Sequence, residues 1–131
     1  MYQNRLKMTE FDPVWDRVRS EAEDIVSREP LLGGMIHSCI LHHERLESAL
    51  AYRTSMKLAS GEMSEQILRE IADEAYRSDP DLVSAARADI VAVTERDPAC
   101  HRFVQPLLYF KGFQAIQAHR VANWLWRQDR K

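Results

Sequence analysis

The chain has 131 residues, 45% hydrophobic and 29% charged, and its 18 Lys and Arg against 20 Asp and Glu give a net charge of -2. One ordinary domain fits this length. The charge balance leaves no basic excess for general nucleic-acid binding or an anionic membrane surface, and no apolar stretch nears the roughly 18 residues needed to cross a bilayer.

Met1 to Glu10 holds no apolar block, so no secretory signal is expected. Cys39 and Cys100 have no CxxC spacing, which argues against a disulfide framework or structural zinc and fits a reducing cytoplasm. Helix breakers are scarce: 4 Gly and 5 Pro stand against an expectation of about 15 at average usage. With no alternating run of Val, Ile, Thr and aromatic residues bounded by turn pairs, the expected fold is all-α, with antiparallel helix packing and no sheet.

Four of the five prolines follow an acidic residue: Asp12-Pro13, Glu29-Pro30, Asp79-Pro80 and Asp97-Pro98. Asp before Pro accepts from free N–H groups of a first turn, and Pro at the first helical position loses no hydrogen bond. Helix starts are therefore expected near 13, 30, 80 and 98, with Glu29 the weakest cap. After Pro13, the positions Val14, Val18, Ala22, Ile25 and Val26 form one apolar stripe that ends near Ser27. From Pro30 to about His43 the helical pattern continues through Gly33-Gly34, where close packing or a bend is expected. Glu44 to Ser60 reads as a helix stopped at Gly61 in the left-handed conformation. Ser64 caps the clearest amphipathic helix, with Ile67, Leu68, Ile71, Ala72, Ala75 and Tyr76 on one face. A further helix from Pro80 carries Leu82, Val83, Ala86, Ile90 and Val93 and is interrupted at Arg96-Asp97-Pro98. Pro98 pushes Asp97 away from helical geometry and places it at a corner between two elements. Pro106 is expected to break the chain again before a last helix from Gly112 to about Gln128. No low-complexity linker and no internal repeat is present, and the six-residue repeat that winds a left-handed β-helix is absent.

His37, Cys39, His42, His43 and Glu44 crowd together, but His37 and His42 are five apart and His42 and His43 diverge, so the spacing does not suit two metal ligands on one helix face. The second Glu-x-x-His of a carboxylate-bridged site is missing. Caps, packing or solvent contacts are the expected roles, and no metal is expected. Trp124 and Trp126, two apart on a helix and followed by Arg127, Arg130 and Lys131, cannot both enter one small core; one is left for a basic helix end or for a contact with another subunit or domain. Pro106 to Phe113 is too apolar for a surface loop and reads as core or interface. There is no GxSxG, no Gly-rich phosphate loop and no evident Cys-His pair, so no catalytic residue is assigned. Composition and spacing alone favour a capping role for Asp97 over ligand binding.

Arg96-Asp97-Pro98-Ala99, then Pro106-Leu107-Leu108-Tyr109-Phe110-Lys111-Gly112-Phe113-Gln114-Ala115-Ile116-Gln117-Ala118-His119-Arg120-Val121, then Trp124-Leu125-Trp126, closely resemble the amino-terminal helical domain of bacterial and plant serine O-acetyltransferases. Glu29 to Leu32, Ser48 to Tyr52 and Glu74 to Pro80 are similar too, so the resemblance covers nearly the whole of 1–131. It implies a parent enzyme that moves acetyl from acetyl-coenzyme A, its co-substrate, to the hydroxyl of L-serine, committing it toward cysteine. The resemblance also implies that the general-base histidine and the coenzyme A groove belong to a β-helix domain outside these residues, so the five histidines here take no catalytic role and the chain alone is inactive, with no cofactor of its own.

Asp97 is similar to the family carboxylate that holds serine, and cysteine when it acts as feedback inhibitor; a free ammonium against a fixed carboxylate is a charge-assisted pair. The resemblance further implies self-association, a hexamer in the parent and a dimer for this stretch alone, and a sulfhydrylase partner that grips a carboxyl terminus absent here. Asn123 stands where relatives often have His, and Asp129 where a Gly commonly follows the last helix. The contrasting expectation is a free-standing helical interaction module without catalysis.

Overall fold

A computed structural model describes residues 12–129; the readings of Met1 to Glu10 and of Arg130 and Lys131 lie outside the described residues. The described residues form helices and connections, with no strand among them, as the all-α expectation has it.

Helix α1 spans Pro13–Arg28, with Trp15, Val18 and Ala22 buried. The Asp-Pro start works as the chemistry requires: the Trp15 N–H donates to Asp12 Oδ1 at 3.1 Å, while Asp12 Oδ2 takes the Arg87 guanidinium at 2.7 Å. One carboxylate thus caps α1 and ties it to a helix 75 residues downstream.

The Pro30 to His43 stretch departs from the single helix expected of it. A 3-10 turn at Pro30–Leu32 leads into α2, Gly33–Ile36, and then a π-helical turn at His37–Leu41. Glu29 makes no side-chain cap, consistent with its weak rank. The glycines are not needed for close packing: a Cβ on Gly33 would meet Val26 at an ordinary 3.7 Å, and one on Gly34 would meet nothing within 4 Å. The irregularity instead accompanies burial of Ile36, Cys39 and Ile40, which the wider π turn turns inward under α1.

Helix α3, Leu46–Leu58, and α4, Glu65–Ser78, form the most extensively packed pair. Gly61 does not stop α3 in the left-handed region, since no glycine has positive φ. The helix ends on an extended Ala59, and Ser60 closes the turn by accepting from the Glu62 and Met63 N–H groups. Ser64 caps α4 by accepting from the Ile67 N–H, and Ala72, Ala75 and Tyr76 of the expected face are buried.

Helix α5, Pro80–Arg96, starts on Asp79, whose side chain accepts from the Asp81 N–H. No helix begins at Pro98. Residues 97–103 form an irregular connection to a short α6, Val104–Tyr109, followed by α7, Lys111–Arg127. Pro106 does not break the chain; it occupies the first turn of α6, where a missing N–H costs no helical bond. The interruption comes four residues after Pro106, at an extended Phe110.

Arg53 on α3 seals α6: its Nε donates to the Leu107 carbonyl at 3.1 Å and its Nη2 to the Leu108 carbonyl at 2.7 Å. These carbonyls lie in the last turn of α6, where intrahelical donors run out, and the Gln114 side-chain amide also donates to the Leu107 carbonyl at 2.8 Å. The core gathers Val18, Ile36, Ile40, Leu50, Ile90, Val104, Leu107 and Phe113, and α7 lies across α3, α4, α5 and α6. Trp124 is 5% exposed and Trp126 is 61% exposed, so the two tryptophans part as their spacing demands.

Candidate functional site

The end of α5, the 97–103 connection and the start of α7 enclose an open groove of about 730 Å³. Asp97 sits on its rim as the C-cap of α5, extended at φ -94° and ψ 116°, the conformation that a following proline favours. The Asp97 N–H still donates to the Val93 carbonyl at 2.9 Å, so the helix holds the residue at its root. Oδ1 accepts from the Ala99 N–H at 2.9 Å. This is the local capping role that spacing favours, and it leaves the second carboxylate oxygen without a partner among the described residues.

Asp89 lines the same groove, but its carboxylate is committed. Arg120 and Gln117 both donate to Oδ2, Gln117 at 2.9 Å, and Arg120 also donates to Gln117 Oε1 at 3.0 Å. Each groove carboxylate keeps one oxygen without a partner, but Asp89 has its charge balanced by Arg120, so among the described residues Asp97 is the groove carboxylate left without a cation of its own. Arg96 and Lys111 add positive charge, and Tyr109, Phe110 and Phe113 give the groove an apolar wall. A small zwitterion suits this arrangement: a carboxylate to receive its ammonium, cationic side chains to face its own carboxylate, and apolar surface beneath. No histidine or cysteine lines the groove.

The histidine cluster is elsewhere, with His37 and His42 exposed and His43 buried. His43 is 2% exposed, with Nε2 3.0 Å from the Ser38 carbonyl and Nδ1 2.7 Å from the Ser48 hydroxyl. A carbonyl only accepts, so Nε2 carries the proton and Nδ1 receives the one from Ser48. Both nitrogens are then occupied. Burial pushes the imidazole below its ordinary pKa, opposed by the Ser38 bond and reinforced by the Arg69 charge. His37 and His42 stand with ring centroids 6.0 Å apart. No group of three or more His, Cys, Asp or Glu among the described residues is arranged to hold a metal. Around the same turn, Arg19 donates to the His43 carbonyl at 2.7 Å and Trp15 Nε1 to the Glu44 carbonyl at 3.0 Å.

The partners that stand behind Asp97 carry no signal in the sequence. Gln105 Oε1 accepts from the His101 N–H at 2.6 Å and the Arg102 N–H at 3.0 Å, and Glu21 Oε1 accepts from the Phe103 N–H at 2.9 Å. Arg102 pairs with Asp24 at 2.9 Å, and that guanidinium holds the Asp24 carboxyl below its usual range. The Glu21 bond spans 82 residues of sequence, so no local pattern announces it.

Residues 14–118 match the family described as "Serine acetyltransferase, N-terminal". Serine acetyltransferase of Escherichia coli (strain K12) is 43% identical over 122 residues, which is 93% of this chain and 45% of that protein. A serine acetyltransferase of Brucella abortus strain S19 solved with coenzyme A is 41% identical with TM-score 0.89, covering 95% of this chain and 50% of that one. The Neisseria gonorrhoeae enzyme solved in complex with serine is 45% identical with TM-score 0.87, covering 92% and 50%. The chain thus spans about half the length of the relatives it matches.

Proposed function

The chain belongs to the family of serine acetyltransferase amino-terminal domains, and we propose that it is the helical part of an enzyme transferring acetyl from acetyl-coenzyme A to the hydroxyl of L-serine. In this reading residues 1–131 form one domain with two duties, contact with the amino-acid substrate and self-association, and the protein works in the cytoplasm.

The observation that carries the reading is the open oxygen of Asp97 in a groove whose other carboxylate is already bound by Arg120 and Gln117. Asp97 receives the ammonium of serine, or of cysteine as the end-product inhibitor, through a charge-assisted hydrogen bond. The base that takes the proton from the serine hydroxyl and the surface that binds coenzyme A come from the portion of the relatives beyond this half, because the groove has no histidine to act as base. The 131-residue chain alone therefore has no acetyl-transfer activity. Relatives solved with serine and with coenzyme A support the substrate classes.

In a full-length enzyme carrying this domain, Asp97→Asn keeps a cap acceptor for Ala99 and removes the charge. It is expected to raise the serine KM and weaken cysteine inhibition together, each by roughly tenfold, the scale of a lost charged hydrogen bond. A serine KM equal to that of the parent would sink the assignment.

Self-association belongs to the same reading. Leu31 is 96% exposed and Trp126 61%, and Met56, Leu58, Met63 and Ile67 expose apolar surface around the α3–α4 turn. Apolar surface of this kind supports a dimer of the chain, and a hexamer of the longer enzyme. A sulfhydrylase partner would engage a carboxyl-terminal segment of the longer enzyme.

A further inference from the structure

The connection that carries Asp97 has no regular structure of its own, yet every backbone N–H from Ala99 to Phe103 has a partner. Two of these bonds are local: Ala99 to Asp97 Oδ1 and Cys100 to the Asp97 carbonyl, both at 2.9 Å. The other three go to side chains, His101 and Arg102 to Gln105 Oε1 and Phe103 to Glu21 Oε1. Gln105 lies in the first turn of α6 and reaches back along the chain, so one carbonyl oxygen gathers two consecutive amides. Glu21 fixes the far end of the connection to α1.

From this geometry we propose that Gln105 is a positioning residue for Asp97, acting through its side-chain carbonyl oxygen, with Glu21 as the anchor at the rear. The inference rests on the reading of Asp97 as the ammonium contact. The α5 end holds the Asp97 backbone through the Val93 carbonyl, but the exposed carboxylate is aimed by the Ala99 N–H and the Asp97 carbonyl is held by the Cys100 N–H, so its direction depends on the conformation of residues 98–103. Without the Gln105 oxygen, two amides lose their acceptor, the connection samples other conformations, and the carboxylate spends part of its time out of the groove. Substrate binding then weakens while the chemistry at saturating serine is untouched, because Gln105 contacts no reacting atom.

The acceptor oxygen is the feature that counts. Gln105→Glu retains an acceptor oxygen at the same side-chain length. Gln105→Ala removes it; Gln105→Met removes it while keeping the side-chain length, and serves if the alanine variant fails to fold. In the 131-residue chain, amide hydrogen exchange at His101 and Arg102 is expected to accelerate about tenfold in the alanine or methionine variant and to stay at the parent rate in Gln105→Glu. In the full-length enzyme, the same variants should raise the serine KM by roughly three- to tenfold with kcat unchanged, and Gln105→Glu should restore it.

Unchanged exchange at His101 and Arg102 in the alanine and methionine variants would overturn the proposal, as would a serine KM in Gln105→Glu as high as theirs. A fall in kcat without a change in KM would also overturn it, since that marks general damage to the fold. The two readings fail separately: a parent-like serine KM in Asp97→Asn removes the substrate contact, whereas the exchange rates still decide whether Gln105 holds the connection.

Discussion

At the scale of the residue, side chains with two jobs decide this molecule. Asp12 caps α1 with one oxygen and pairs with Arg87 through the other; Asp97 caps its own turn with one oxygen and has no partner among the described residues for the other. The capping halves are readable because Asp-Pro is a local signal, while the pairing half of Asp12 depends on a partner 75 residues away. Arg53 and Gln105 carried no signal at all, because a lone Arg or Gln on a helix gives no hint that it will seal another element's carbonyls or amides. His43 illustrates the converse, a residue that invites a functional reading and turns out to be a buried, doubly bonded imidazole. Folding holds it neutral, so below its ordinary pKa of 6.5 the unfolded chain takes up a proton that the folded chain resists. Stability is therefore full above that pH and falls as the pH drops through and below it. Urea melts at about pH 7.5 and 5.5 should show a lower midpoint at the acid value, and His43→Asn should flatten that difference. An equal slope in the variant would show that other groups carry the effect.

At the scale of the element, helix starts are legible and connections are not. Asp12, Ser64 and Asp79 cap where expected, since a cap is a matter of three or four neighbouring residues. Pro98 resembles Pro13 and Pro80 in sequence, but its Asp is already the C-cap of α5 and the chain must turn to bring α6 under Arg53. Packing overrides the local start. The Gly33-Gly34 segment is the other case: glycine there suggests a tight approach, yet both residues are helical and Gly34 has open space around its Cα. Gly34→Ala should therefore stabilise the domain by about 0.5–1 kcal/mol, because alanine loses less backbone freedom on folding. The check is the shift in urea midpoint, and a lower midpoint would mean that the 3-10 to α to π sequence needs the glycine.

At the scale of the whole molecule, the apolar residues divide into a core and a surface set. Leu107, Leu108 and Phe113 of the apolar run are buried, whereas Tyr109 is 51% exposed and Ile116, one turn beyond Phe113 on α7, is 50% exposed. The expectation that this run is core or interface is met on the core side, and the exposed members lie beside the groove. If the exposed apolar surface serves self-association, light scattering of the 131-residue chain at high micromolar concentration should give the mass of a dimer. A monomer throughout that range would remove self-association from the proposed function.

The amino-acid sequence by itself determined the all-helical class, most helix starts, the parting of Trp124 and Trp126, and the family, because periodicity, caps and the Lys111 to Val121 motif are encoded over short distances. Tertiary structure alone decided that Asp89 is ion-paired with Arg120 while Asp97 has no cation beside it among the described residues, and that Gln105 and Glu21 hold the connection behind it. The reason is physical: whether a carboxylate is available depends on which donors the fold brings within about 3 Å of it, and here those donors come from helices far apart in the chain.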